Sequence, residues 1–135
     1  MTTYTTTDEL TARDVMVRRF VTAAPEDTLG ELAEHLSAAD AGSALVVEFG
    51  QLRGILTSRD IFRAVAERVH PSEGTVRDWM SESPATATPD LPIEDAARSM
   101  LAGGFHHLPV VEEGRPVGVV GLRSAFSALR RFPGW

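Results

Sequence analysis

"GILTSRDIF", residues 54–62, and "GVVGLRSAF", residues 118–126, lie 64 positions apart and keep Gly, Arg and Phe in the same places. Sliding the whole chain by 64 positions aligns residues 11–65 with 75–129 without a gap, and 17 of the 55 pairs are identical. Unrelated segments of ordinary composition would share about three or four. "TARDVM" falls on "TVRDWM", Pro25 on Pro89, and "VVEFG" on "VVEEG". The chain is therefore built twice from one unit, and the fold follows from reading that unit. The copies differ at two positions that carry chemistry: Thr57 and Asp60 in the first correspond to Gly121 and Ser124 in the second.

Each copy reads alike from its own residues. Thr11 and Thr75 are candidate N-caps of a short helix. An extended stretch follows, ending at Pro25 or Pro89, because the residue before a proline is biased away from helix. Leu29, Leu32, Ala33 and Leu36 recur at helical spacing, as do Ile93, Ala96, Ala97, Met100 and Leu101. Gly42 and the pair Gly103 and Gly104 are the natural stops for these helices. "ALVVEFGQLRGIL" and "LPVVEEGRPVGVV" predict hairpins turning near Gly50 and Gly114. Pro116 lacks an amide donor and belongs at a strand start or an edge. A last helix begins near Ser58 or Leu122. Two such strand–helix–strand–strand–helix units, packed sheet to sheet about an approximate twofold axis, would cover what each leaves exposed, giving a mixed α/β fold. The expected divisions are a flexible start at 1–10, a first repeat at 11–65, a polar linker at 66–74, a second repeat at 75–131 and a tail at 132–135.

The 135 residues can bury roughly two thirds of their unfolded surface. With no cysteine, disulfides and thiolate zinc sites are excluded, and a reducing cytoplasm is the expected location. Lys plus Arg number 13 against 19 Asp plus Glu, a net charge of -6 that argues against nucleic acid. The start, "MTTYTTTDELTARD", has neither a basic region nor an apolar run, and no segment approaches the roughly 20 apolar residues of a membrane span. The chain reads as soluble and unexported.

The duplicated "VM" helix, the stretch ending in "TP", "HLPVV", and "G-x-x-T-x-x-D" leading into a helix together resemble a stand-alone pair of cystathionine beta-synthase (CBS) domains, a Bateman module. The resemblance covers about residues 11–131. It implies a non-catalytic regulatory module that binds an adenosine-containing ligand (AMP, ADP, ATP or S-adenosylmethionine) in a cleft between the repeats, often as a homodimer serving a client protein. In such a site the Asp of "T-x-x-D" accepts from both ribose hydroxyls, a task suited to an acceptor-only carboxylate; Asp60 matches that position. Thr57, Ser58 and Arg59 match the phosphate side, where a helix start favours an anion, and Ile55 joins them from the preceding strand. The extended lead-in of the other repeat would lie against adenine, which here is Pro84, Ala85 and Thr86. His106 and His107 fall where basic residues lie near phosphates. The second cleft, with Gly121 and Ser124 beside Phe20, Val21 and Thr22, is expected to be degenerate.

The residues themselves leave plainer readings open. Thr57 with Asp60 also reads as a capping box at a helix start. His106 and His107 are neighbours on a strand, point to opposite faces and cannot chelate one metal together. No nucleophile elbow or P-loop is present. Val15, Met16, Trp79 and Met80 read as packing residues, while Phe132 and Trp135 in the tail are either frayed or docked on a partner. The rival function is a protein-interaction module with a vestigial nucleotide cleft.

Overall fold

The computed structural model describes residues 10–130. The flexible start expected at 1–10, all but its last residue, and the tail at 132–135 with Phe132 and Trp135 lie outside them. The elements in chain order are α1 (Ala12–Val15), β1 (Val21–Ala23), α2 (Leu29–Ala39), β2 (Ser43–Glu48), β3 (Gln51–Thr57), α3 (Ser58–Ala66), α4 (Val76–Trp79), β4 (Ser81–Glu82), α5 (Ile93–Gly103), β5 (His107–Glu112), β6 (Arg115–Gly121) and α6 (Leu122–Leu129). The fold is mixed α/β, with a strand–helix–strand–strand–helix order running through each copy.

The chain forms two compact units, one of residues 19–84 and one of residues up to Arg18 and from Ala85 onward. In the first, β1 runs parallel to β2, β2 antiparallel to β3, and β3 antiparallel to β4. Leu29, Leu32 and Leu36 of α2 are buried with Ala44, Val46, Leu56, Ala64 and Val76. Each large aliphatic side chain so buried stabilises the fold by roughly 1.5–3 kcal/mol. Thr28 starts α2 with a capping box, its amide donating to Glu31 Oε1 at 2.9 Å and its hydroxyl accepting from the Glu31 amide at 3.1 Å. The helix ends at Asp40, which adopts the left-handed conformation at φ 51°. That corrects the stop expected at Gly42, because aspartate tolerates the left-handed region. The Gly42 carbonyl is used elsewhere: it accepts from the Ser58 amide at 3.0 Å.

The other unit repeats this plan with thinner edges. β5 and β6 form the hairpin. The positions equivalent to β1 and β4 contribute single bridges, Ala87 to Val110 and Val17 to Val119. Ile93, Ala96, Ala97 and Met100 of α5 pack with Leu108, Val110, Val120, Ala125 and Leu129. Here the helix stop is as expected, with Gly104 left-handed at φ 71° after Gly103. Both hairpins turn where predicted. Phe49 and Gly50 have φ 54° and 77°, and Glu113 and Gly114 have φ 52° and 82°, the paired positive φ of a type I′ turn that suits the twist of the strands. Each hairpin also carries a register shift, after Val46 and after Val110. Pro116 lies one residue into β6, opposite Val111.

The repeats and the units are offset. α1 belongs to the first copy in sequence, yet Ala12 is buried in the core with Ile93 and Leu108, and Val15 and Met16 pack against it. α4 belongs to the second copy, yet Val76 is buried in the core with Leu32 and Val46, with Trp79 and Met80 against it. Each copy thus lends its opening helix to the body of the other. Gly54 and Gly118 explain themselves here. A Cβ on Gly54 would meet the Ser81 carbonyl oxygen at 2.7 Å and Met80 Sδ at 2.8 Å, and one on Gly118 would meet Met16 Sδ at 2.5 Å. The lent segment crosses each strand closely: backbone blocks a side chain at Gly54, and the Met16 side chain would have to shift to admit one at Gly118. Ion pairs fasten both lent helices: Arg13 to Asp90 at 2.8 Å, and Arg77 to Glu26 at 2.8 Å and Glu48 at 3.4 Å.

Candidate functional site

β3 runs directly into α3, so Thr57 ends the strand and caps the helix while Asp60 stands in its first turn. Asp60 is the one buried charged residue among those described, with 9% of its surface exposed. Its carboxylate is well supplied with donors. Oδ2 accepts from the Thr57 amide at 2.8 Å and from the Thr57 hydroxyl at 3.1 Å, and Oδ1 accepts from Arg63 Nη2 at 3.1 Å. The Arg63 guanidinium stands 5.9 Å from the centre of the Trp79 ring. The capping box read from the sequence is therefore formed, and a cation joins it that the sequence reading missed. The signal was the spacing of three between Asp60 and Arg63, a helical neighbour pair.

The same device recurs along the chain. Thr11 with Asp14 and Thr28 with Glu31 form boxes too, and the Thr75 hydroxyl accepts from the Asp78 amide at 3.4 Å. Burial separates Asp60 from these others, whose hydrogen bonds are exposed. Ser58 and Arg59 are exposed on the first turn. The Ser58 amide, at the helix start matched to the phosphate side, donates to the Gly42 carbonyl. At the matching place, α6 begins at Gly121 without a side-chain cap, and the Leu122 amide donates to the His106 carbonyl at 2.9 Å.

Ile55 is buried on β3 and pairs with Ser81 of β4. Pro84 closes the same unit, half-buried, after Ser83 turns the chain at φ 47° with its amide on the Arg53 carbonyl. Thr57, Ser58, Arg59, Asp60, Ile55 and Pro84 thus belong to one unit. Ala85, Thr86, His106 and His107 belong to the other. Ala85 and Thr86 are exposed just ahead of Ala87, which pairs with Val110; His106 is exposed and His107 opens β5 opposite Gly121. Burial holds the His107 imidazole below its ordinary value of 6.5, and His106 pushes it the same way. No group of three or more metal-ligating side chains occurs among the described residues. An open groove beside the second hairpin is rimmed by Asp90, Glu112, Glu113 and Arg115. It contains none of the expected residues, and its acidic rim would repel a phosphate.

Two βαββα copies in one chain, each with its hairpin and a helix directly behind the last strand, define a tandem repeat module. The chain belongs to the CBS domain family, which matches it twice, over residues 12–67 and 76–131. It is 31% identical over 110 residues to the CBS domain-containing protein YhcV of Bacillus subtilis, covering 82% of this chain and 79% of that one. It is 32% identical over 109 residues to the protein MJ1225 of Methanocaldococcus jannaschii, where it covers 80% of this chain and 39% of that one. The CBS domain pair of protein MJ0100, solved in complex with 5′-methylthioadenosine and S-adenosylmethionine, superposes with a TM-score of 0.81 at 28% identity, covering 90% of this chain and 95% of that one. No helix among the described residues is long and apolar enough to cross a membrane.

Proposed function

We propose that the chain is a non-catalytic regulatory module that binds an adenosine-containing ligand, AMP, ADP, ATP or S-adenosylmethionine, through the start of α3. Asp60 takes the ribose hydroxyls, and Thr57, Ser58 and Arg59 take the phosphates or the equivalent 5′ group. The observation that carries this reading is the buried Asp60 carboxylate, set at the first turn of a helix in a family where a related pair binds two adenosine compounds. Ile55 and Pro84 are assigned with it from the same unit. Ala85, Thr86, His106 and His107 enter through the family resemblance. The homodimer and the client protein are assigned from the family resemblance; in such a module binding shifts a conformational equilibrium only where the two states differ in affinity.

Thermal unfolding with AMP, ADP, ATP, S-adenosylmethionine and GTP tests the proposal. A ligand at one hundred times its Kd adds ~2.7 kcal/mol, on the order of 10 °C at this size. The expected result is a shift confined to adenosine compounds and lost in Asp60→Ala. The same Asp60 hydrogen bonds favour a second reading, in which the carboxylate serves as a helix cap and the module binds a protein. An absence of any shift at millimolar ligand, with a partner recovered equally by wild type and Asp60→Ala, would establish that reading instead.

A further inference from the structure

We infer that Arg63 sets the affinity of the Asp60 site and its preference for ribose over deoxyribose, by competing for the carboxylate that a ribose diol must use. The inference rests on the adenosine reading above. A carboxylate offers about four lone-pair places. Three on Asp60 are filled, by the Thr57 amide, the Thr57 hydroxyl and Arg63 Nη2. A single sugar hydroxyl therefore finds a place, but two do not. One donor has to leave before a vicinal diol can be held.

The three donors differ in what leaving costs. The Thr57 amide is fixed in the backbone at the strand–helix junction, and losing its acceptor would undo the cap. The Thr57 hydroxyl shares Oδ2 with that amide. Arg63 holds Oδ1 alone, its side chain is 59% exposed, and the Trp79 ring offers its guanidinium a second resting place. Arg63 is thus the donor that yields. Trp79 belongs to the lent helix α4, so the displaced guanidinium rests on a segment that the second copy supplies to this unit.

The test is calorimetric titration of AMP and 2′-deoxy-AMP into wild type, Arg63→Met, Arg63→Lys and Asp60→Ala. Arg63→Met keeps the stem and removes the donor and the charge. It should bind AMP about three- to fivefold more tightly than wild type, the size of one partly exposed ion pair, and leave 2′-deoxy-AMP within about a factor of two. Arg63→Lys keeps the ion pair and should retain the wild-type ratio. Arg63→Leu, which also lacks a donor, repeats the comparison if the methionine variant does not fold. An unchanged ratio of AMP to 2′-deoxy-AMP in Arg63→Met, with AMP binding still lost in Asp60→Ala, overturns the inference and leaves the adenosine reading standing. Weaker AMP binding in Arg63→Met also overturns it, since Arg63 would then be a support. AMP binding that is absent from wild type, or equal in Asp60→Ala, sinks both.

Discussion

The helix behind the first hairpin and the helix behind the second start differently, although 17 of 55 paired positions in the two copies are identical. α3 opens on Thr57 with Asp60 buried beneath it, whereas α6 opens on Gly121 with an exposed Ser124. Both helices nevertheless form, and in both the first amide donates to the carbonyl of the residue preceding the hairpin, Gly42 or His106. The backbone bond is thus the common requirement for starting the helix. At this helix start the side-chain box is an addition made in one copy only.

The strongest way to strain the comparison is at the paired glycines. Gly54→Ala should lower stability by roughly 1–3 kcal/mol and the midpoint of thermal unfolding by about 3–10 °C, because its Cβ meets the Ser81 backbone. Gly118→Ala should cost less, since there the obstacle is the Met16 side chain. Equal losses would mean that the two lent segments press equally hard on their strands. The caps come next. Asp60→Ala should lose about 1 kcal/mol with its box, and Ser124→Ala almost nothing. The reverse exchange, Gly121→Thr with Ser124→Asp, should gain about 0.5–1 kcal/mol in chemical denaturation. Gly121 already has an extended backbone, and its Cβ would meet nothing closer than Ser124 Oγ at 3.8 Å.

A smaller contrast lies at His107, whose counterpart in the first copy is Ser43. A base whose folded pKa lies below its unfolded value binds protons more readily when unfolded. The stability it leaves intact above pH of about 6.5 is therefore lost as pH falls toward the folded value. Urea titrations between pH of about 7.5 and 5.5 should give a flatter slope for His107→Gln than for wild type. The least effect belongs to the ion pairs. Arg77→Ala should cost more than Arg13→Ala, because Arg77 meets two carboxylates and Arg13 one. Both losses should disappear in about 1 M salt, where the Debye length is roughly 3 Å.

Much of this was legible in the sequence because its causes are local. Thr11, Thr57 and Thr75 announce helix starts, and Gly50 and Gly114 announce turns, within four residues of the structure they create. Asp40 was harder to read than Gly42, since either residue can stop a helix and only the backbone decides. The exchange of opening helices was not legible. Its pairing of Ser81 and Glu82 with β3 joins exposed polar residues to a strand some 27 positions away, and no alternation of apolar residues marks it. Met16, Met80, Gly54 and Gly118 were noted as repeated residues, yet their mutual contact requires knowing which copy each helix lies on. Asp60 is marked twice in the sequence, by the capping spacing and by the family motif; the spacing of Arg63 to it is equally local, whereas the Trp79 ring beside Arg63 comes from the other copy.

The lending of α1 has a consequence for how the protein is made. Residues 19–84 form a continuous unit and have every part of it once Pro84 has emerged. The other unit needs α1, which is synthesised before residues 19–84, and α6, which is synthesised after them. At ribosomal speeds of about 5–20 residues per second, α1 waits on the order of ten seconds for its partners. During that time Ala12, Val15 and Met16 have no core to enter, and the split unit closes after the continuous one.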